Sequence, residues 1–290
     1  MTYHLSTTTM KRREFIQASA LATAGMLTLP SMVKAADKKK IGIQLYTLKD
    51  VIGNDPKGIL KQLASFGYKE LETYGYKDGM QFGLPIAEFG KVVSDLGMKV
   101  VSGHFDIKII ENDLNRAVAD AKSIGQKYIV VPWLGDDYRT LDGIKGVCET
   151  LNKAGEVANK AGIRMGYHNH DFEFKEIDGQ ILYDVMLKEL DPKLVSMEMD
   201  LYWVIAAGHS PTDYFAKYPG RFEQWHVKDR DKEVPTRNTE VGDGSIDWKP
   251  IFAKAKQSGM KHFYVEQEYF ARPSIDSAKI CIENLKTKIL

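Results

Sequence analysis

Histidine and carboxylate side chains stand directly after short apolar runs in the second half of the sequence. The run from Ile163 to Tyr167 leads into His168, and three later runs end at Asp200, His226 and Glu266. Imidazole nitrogens and carboxylate oxygens together bind borderline or hard divalent ions such as Mn²⁺, Zn²⁺, Co²⁺ or Mg²⁺. Because the set contains no cysteine, it predicts one open-sided catalytic ion and not a structural zinc knot.

An ion held in this way favours one kind of chemistry. It can bind a hydroxyl and an adjacent carbonyl of a sugar, polarise the carbonyl and lower the pKa of the neighbouring C–H group. A carboxylate on either side of that carbon can then remove and return the proton. The residues therefore predict an enzyme that abstracts a proton next to the carbonyl of a small sugar, polyol or keto-sugar.

The elements that must position these residues alternate in a regular way. From Lys40 onward, short apolar runs alternate with segments of helical spacing, and glycine ends many of the helical segments. Eight repeats without a linker predict an α/β fold, a single (β/α)8 TIM barrel over residues 37–290. An open doubly wound sheet is the alternative, but the first strand lacks the Gly-rich phosphate loop that such folds carry for dinucleotides.

On a TIM barrel the C-terminal ends of the strands meet at one face, where the active site lies. Every residue singled out above falls at such a strand end. Further polar and aromatic residues share this position and are predicted to bind substrate: Gln44, Glu72, His104, Trp133 and Lys228.

Four segments carry a resemblance to a known family. They are residues 167–174 (Tyr-His-Asn-His-Asp-Phe-Glu-Phe), 199–203, 225–229 and 242–248. They resemble the xylose isomerase-like TIM-barrel superfamily, often labelled sugar phosphate isomerase/epimerase. The resemblance implies one divalent ion bound by a carboxylate from strand five, Asp from strand six, His from strand seven and Glu from strand eight. Asp200, His226 and Glu266 match the last three positions.

Strand five departs from this pattern, because His168 stands where the epimerases have glutamate. We therefore predict that Glu173 folds back as the fourth metal ligand. The predicted catalytic residues are His168, His170, Glu173 and Glu266. Isomerisation or epimerisation is the first expectation. A lyase or dehydratase of the inosose-dehydratase-like type is the alternative within enzymes, and a non-catalytic sugar-binding barrel is the alternative outside them.

Composition restricts the partners of the chain. The 290 residues carry a formal net charge of +1, with 27% charged residues and a mean hydropathy of −0.32. A near-neutral chain offers no basic face for nucleic acid, and neither a basic groove nor the many ligands of an endonuclease IV-like phosphodiesterase is visible. We expect a small-molecule partner and no nucleic acid, with a homo-oligomer left open.

The N-terminal segment has the features of an export signal. Arg12 and Arg13 precede a mildly apolar stretch, residues 18–29, and Ala35 lies at a plausible cleavage site. The pattern resembles a twin-arginine signal, so residues 1–36 are predicted to be removed on export to the periplasm, with no stable membrane insertion afterwards. Cys148 and Cys281 fall in different predicted helices and are expected to be unpaired, buried thiols.

Overall fold

Eight short buried strands form a closed parallel barrel in the computed structural model, which describes Met1 and residues 40–290. Each strand pairs with the strands before and after it in the chain, and the last pairs with the first. The predicted TIM barrel is therefore confirmed. The strands are β1 (Gly42–Gln44), β2 (Glu70–Thr73), β3 (Lys99–His104), β4 (Tyr128–Val131), β5 (Arg164–His168), β6 (Val195–Asp200), β7 (Phe222–Val227) and β8 (His262–Val265).

Helices follow the strands and cover the outside of the barrel. They are α1 (Pro56–Phe66), α2 (Ile86–Asp95), α3 (Ile107–Asn112), α4 (Leu114–Ser123), α5 (Leu141–Lys160), α6 (Leu182–Glu189), α7 (Leu201–Ala206), α8 (Pro211–Lys217), α9 (Trp248–Ala253), α10 (Ala255–Ser258) and α11 (Ser274–Asn284). Short 3₁₀ segments occur at Leu45–Leu48, Asp136–Tyr138 and Phe172–Phe174, and a π turn at Leu285–Ile289. Three antiparallel hairpins, each made of two strands of two residues, lie outside the barrel: Met80–Gln81 with Leu84–Pro85, Glu176–Ile177 with Gln180–Ile181, and Asp229–Arg230 with Asn238–Thr239.

Local chemistry sets several helix ends. Asp55 accepts a hydrogen bond from the backbone N–H of Gly58 at 2.9 Å and so caps the start of α1. At the other end of α1, Gly67 adopts a left-handed conformation with φ of 103°, which a residue with a Cβ atom adopts only under strain. The helix can therefore stop and turn directly into β2.

Alternation along the strands divides the residues between two surfaces. On β6, Met197 and Met199 belong to the hydrophobic core between the sheet and the helices. Ser196, Glu198 and Asp200 have the opposite parity, so they face the barrel interior and are fully buried. Because the strands are parallel, interior residues near their C-terminal ends gather at one mouth of the barrel, which we call the top end.

Three further expectations concern the chain as a whole. Cys148 and Cys281 are both free and buried, as predicted. Among the described residues, no helix is both long and apolar enough to span a bilayer. The predicted export signal falls on residues 1–36, which lie outside the described residues except for Met1.

Candidate active site

Four buried side chains converge inside the top end of the barrel. We call His104, His168, Glu198 and His226 the inner group; one ligand atom from each lies within 4.8 Å of the others. Oε2 of Glu198 lies 2.9 Å from Nε2 of His104, 3.3 Å from Nδ1 of His168 and 3.3 Å from Nε2 of His226. Three imidazoles and one carboxylate thus surround a common point.

Glu72 adds a second carboxylate beside the inner group. Its Oε2 lies 2.5 Å from Nε2 of His226 and 3.3 Å from Nε2 of His104. Gln44 fixes it by donating a hydrogen bond of 2.9 Å from Nε2 to the same oxygen. The second oxygens of Glu72 and Glu198 are buried and have no hydrogen-bond partner among the described residues. These two oxygens can therefore still accept a hydrogen bond or bind a cation.

The charges of the inner group are strongly coupled. Burial raises the pKa of Glu198, and the neighbouring Glu72 raises it further. Burial would also raise the pKa of Glu72, but His104 and His226 outweigh it and hold that pKa well below its usual range. Burial lowers the pKa of His168, with nearby cationic groups adding to the effect, so its imidazole is neutral.

The pKa values of the other two imidazoles of the inner group are raised and not lowered. Burial would lower the pKa of His104, but Glu72 and Glu198 raise it to about 9. In the same way, the carboxylates around His226 overcome its burial and raise its pKa well above the usual range. These pKa shifts favour protonated imidazoles at His104 and His226 beside the two carboxylates.

A second group lies at the ends of the last three strands. Asp200, His226 and Glu266 form this outer group, in which Nδ1 of His226 lies 2.8 Å from Oε2 of Glu266. The fully buried Lys228 places its Nζ 3.1 Å from Oδ2 of Asp200 and 2.9 Å from Oε2 of Glu266, and it also contacts Glu268. Burial would lower the pKa of Lys228, but these carboxylates raise it well above its usual range. Its ammonium group therefore compensates the outer carboxylates.

Glu173 stabilises the loop after β5 through hydrogen bonds to residues of its own segment. Oε1 of Glu173 accepts a hydrogen bond from the Tyr167 hydroxyl at 2.7 Å, and Oε2 accepts one from the backbone N–H of His170 at 2.9 Å. Neither group of candidate ligands among the described residues includes Glu173. Both oxygens of Glu173 are therefore already used in hydrogen bonds, and its role as a metal ligand stays a prediction. Of the two histidines of this segment, His168 at the end of β5 belongs to the inner group.

A cavity of about 630 Å³ opens above the two groups. His104, His168 and Glu266 contribute to its walls, as do the aromatic rings of Trp133 and Trp203. Trp133 is 49% exposed, so a flat face is available to a ligand in the cavity. Pockets with aromatic walls and a few convergent polar groups are typical of small-molecule sites.

His170 lies in the same cavity between two tryptophans. Its ring centroid is 4.8 Å from that of Trp133, with the rings perpendicular, and 5.7 Å from that of Trp203. Burial lowers the pKa of His170 to about 3, with Lys228 adding to the effect, so the imidazole is neutral. A neutral imidazole at a cavity wall is able to accept a proton.

The residues predicted to bind substrate divide into two sets. His104 and Trp133 line the cavity. Gln44, Glu72 and Lys228 are fully buried beneath it and contact other side chains of the top end. The ammonium group of Lys228 contacts three carboxylates, so its role in binding substrate stays a prediction.

Two important residues were not identified from the sequence. Glu198 lies inside an apolar run, although its spacing of two from Asp200 on a strand indicates the same face. The second is Asp229, which is fully buried and accepts hydrogen bonds from the backbone N–H groups of Gly242 and Ile246 in the loop after β7 and from Nε1 of Trp248 at the start of α9. This carboxylate links the segments 225–229 and 242–248 by hydrogen bonds, so the conformation of each segment depends on the other.

The top end fits a divalent ion by its chemistry. It supplies imidazole nitrogens and carboxylate oxygens, the donors that suit Mn²⁺, Zn²⁺ or Co²⁺. It also contains three buried carboxylate oxygens that have no hydrogen-bond partner among the described residues, one each from Glu72, Glu198 and Asp200, and an ion would satisfy such atoms.

Residues 60–288 match the xylose isomerase-like TIM barrel family, and the chain belongs to that family. The match covers all of the described strands except β1.

Curated relatives include inosose dehydratases. The chain is 28% identical to that of Geobacillus thermodenitrificans (strain NG80-2) over 131 residues, which cover 40% of this chain and 43% of the relative. It is 29% identical to that of Lactiplantibacillus plantarum (strain ATCC BAA-793 / NCIMB 8826 / WCFS1) over 172 residues, 50% of this chain and 54% of the relative. The matches thus span about half the length of these relatives.

Solved structures support the same family at greater coverage. A sugar phosphate isomerase/epimerase from Parabacteroides distasonis ATCC 8503 superposes with a TM-score of 0.79 at 29% identity, covering 88% of this chain and 96% of that one. The IOLI protein, solved with a bound zinc atom, has a TM-score of 0.66 at 15% identity, covering 85% and 95% of the two chains. The second likeness shows the fold alone.

Proposed function

We propose that the protein is an enzyme that acts on a sugar or keto-sugar by removing a proton next to a carbonyl, with one divalent ion at the top end of the barrel. The observation that carries this proposal is the cluster of buried imidazoles and carboxylates under an aromatic cavity, in which three carboxylate oxygens have no hydrogen-bond partner among the described residues. When bound, a divalent ion supplies Lewis acidity that stabilises negative charge on a substrate oxygen. The zinc atom named for the IOLI protein is consistent with such an ion.

The cavity walls provide two bases for the proton transfer. His170 is a neutral imidazole, and its Nδ1 is buried without a hydrogen-bond partner among the described residues. Burial would raise the pKa of Glu266, but Lys228 and His226 lower it well below its usual range, so its carboxylate is ionised. Either base can remove a proton from the substrate carbon, and the same group, now protonated, can then return a proton to carbon. The exposed face of Trp133 can stack on the apolar face of a sugar ring.

Two reaction classes use these groups. In an isomerase or epimerase the proton returns to carbon, as the sugar phosphate isomerase/epimerase of Parabacteroides distasonis suggests. In a dehydratase the same carbanion expels a hydroxyl from the next carbon, as the names of the inosose dehydratases suggest. Isomerisation or epimerisation is our first choice because the Parabacteroides structure covers nearly the whole barrel at a similar identity.

A deuterium-exchange experiment tests the proposal. The protein is incubated in D₂O with a panel of sugars and 3-keto-sugars, with and without Mn²⁺, and the products are followed by NMR and mass spectrometry. Deuterium next to the carbonyl of an isomer or epimer supports the first class, and loss of water supports the dehydratase. Sugar binding without exchange supports the non-catalytic barrel and contradicts the proposal. Glu70→Gln, at the other end of the barrel, is the matched control and should retain exchange.

We also propose that the protein is exported and that residues 1–36 are removed, on the basis of Arg12 and Arg13 before a mildly apolar stretch. The prediction is that mature protein from cell fractions starts close to residue 37 and is periplasmic. N-terminal sequencing checks this directly, with an Arg12→Lys, Arg13→Lys variant as the export-deficient control. Mature protein that retains the stretch from residue 18 to 29 would contradict it.

A further inference from the structure

We propose that the ion binds in the inner group, to His104, His168, Glu198 and His226, and that Lys228 supplies the positive charge of the outer group. This inference specifies the metal position within the proposed function and so rests on it. It differs from the position that the family resemblance implies, where Asp200 and Glu266 are ligands.

The first argument is the spacing of the donor atoms. With metal–ligand bonds of about 2.0–2.2 Å, the ligand atoms of a tetrahedral site lie about 3.3–3.6 Å apart. Oε2 of Glu198 lies 2.9 Å, 3.3 Å and 3.3 Å from the nearest nitrogens of His104, His168 and His226. One oxygen of Glu198 thus already lies close to all three imidazoles, and one ligand atom from each of the four side chains lies within 4.8 Å of the others.

The second argument is hydrogen-bond satisfaction. Glu72 and Glu198 are fully buried, and each has one oxygen without a hydrogen-bond partner among the described residues. A buried polar atom without a partner is costly, and more so when it is charged. Oδ2 of Asp200 also lacks a hydrogen-bond partner, but it lies 3.1 Å from the ammonium group of Lys228. The formal charge of Glu72 and Glu198 also equals that of one divalent ion held by neutral imidazoles.

The third argument is that the outer group already has its cation. The ammonium group of Lys228 lies 3.1 Å from Asp200 and 2.9 Å from Glu266, and it also contacts Glu268. An ion between Asp200 and Glu266 would have to displace a side chain that is fully buried. Two like charges at this distance repel strongly in a low-dielectric interior.

The orientation of His226 agrees with this assignment. Its Nε2 faces Glu72 and Glu198, while its Nδ1 lies 2.8 Å from Oε2 of Glu266. Metal-binding histidines commonly donate their second ring N–H to a carboxylate, which fixes the tautomer and the ring orientation. Glu266 therefore acts on an inner ion through His226, as a positioning residue, and its carboxylate remains at the cavity wall.

Anomalous diffraction from wild-type crystals loaded with Zn²⁺ or Mn²⁺ alone tests the position without any substitution. The expected peak lies at bonding distance from Glu198 and His104. A peak bonded to Asp200 and Glu266 would overturn the inference and would leave the proposed function standing. An inner peak in a protein that exchanges no sugar proton would sink the proposed function and leave the metal position intact.

Metal content of variants gives an independent measurement. After chelation and reloading with Zn²⁺, Glu198→Gln and His104→Asn should bind zinc at least about tenfold more weakly. Asp200→Asn should remain close to wild type, as should the control Glu70→Gln. Zinc retained by Glu198→Gln and lost by Asp200→Asn contradicts the proposal. Thermal unfolding in chelator shows whether each variant is folded, and the wild-type crystals decide the matter if Glu198→Gln is not.

Discussion

The two ends of the barrel interior both contain buried carboxylates, but among the described residues only the top end has carboxylate oxygens without a hydrogen-bond partner. At the bottom, Oε2 of Glu70 lies 2.7 Å from Nδ1 of His262, and Glu223 accepts a hydrogen bond from the Tyr128 hydroxyl at 2.9 Å. At the top, Glu72, only two residues from Glu70 on β2, has an oxygen without a partner among the described residues. A buried carboxylate alone therefore does not mark a site; an unsatisfied one beside imidazoles does.

The same comparison separates two lysines. Lys228 at the top is fully buried among Asp200, Glu266 and Glu268. Lys261 at the bottom pairs with Glu223 at 3.0 Å, but its side chain is 57% exposed. Breaking a buried ion pair costs about 3–5 kcal/mol, whereas an exposed pair contributes about 0–1 kcal/mol.

The largest effect we expect is therefore that of Lys228→Met. In chelator, this variant should lose about 3–5 kcal/mol of unfolding free energy, because three carboxylates lose the one ammonium group that contacts them among the described residues. Urea unfolding followed by circular dichroism measures the loss. Lys261→Met is the matched control and should change stability by about 1 kcal/mol or less.

Added Zn²⁺ or Mn²⁺ sharpens this test. With Lys228 removed, the outer group can accept a cation of its own, so the bound metal should rise from one to two ions per chain. A Lys228→Met variant as stable as wild type in chelator would show that the outer carboxylates do not depend on this lysine.

The next effect distinguishes Glu70 from Glu72. Glu70→Gln should lower stability by about 1–2 kcal/mol both with and without zinc, because it weakens a hydrogen bond that no ion replaces. Glu72→Gln should instead reduce the increase in stability that zinc produces, by about 1.4 kcal/mol for each tenfold loss of affinity. Melting curves with and without Zn²⁺ measure both. An equal zinc response in the two variants would remove the distinction between the barrel ends.

The fold was predictable because its signals are local. Apolar runs, helical spacing and glycine ends such as Gly67 identify the barrel units, and no long-range contact is needed to see them. The positions of Asp200, His226 and Glu266 followed from the same rule, since each lies at or just past the end of a parallel strand. The structure brings these three together in the outer group.

The inner group could not be predicted in the same way. Glu198 lies within an apolar run, and its proximity to the imidazoles depends on the register of β6 against β5, where Glu198 pairs with His168. Glu173 is the opposite case. It lies in the segment in which the sequence predicts a metal ligand, but its carboxylate belongs to neither the inner nor the outer group. Its environment depends on the Tyr167 hydroxyl, whose position the whole barrel determines.

The smallest effect on stability is expected at Glu173. This residue lies near the top end, but both of its carboxylate oxygens accept hydrogen bonds, as the carboxylates at the bottom do. Burial raises its pKa to about 7 from an ordinary 4.5, although the hydrogen bond from Tyr167 opposes the shift. Glu173→Gln should keep both contacts, since the amide oxygen can accept from the His170 N–H while the amide nitrogen donates to the Tyr167 oxygen.

The sign of the pH effect follows from the direction of the shift. A carboxyl group with a raised pKa in the folded state holds its proton longer there than in the unfolded chain, so its contribution is complete below pH 4.5 and is lost as the pH rises through 7. Glutamine does not titrate. Between pH 4.5 and 8 the stability of Glu173→Gln should therefore rise relative to wild type by at least about 1 kcal/mol, measured by urea unfolding in chelator. The exposed Glu176→Gln is the control and should show no such change. A constant difference between Glu173→Gln and wild type across this range would mean that Glu173 is already ionised at the lower pH, and that its hydrogen bonds outweigh its burial.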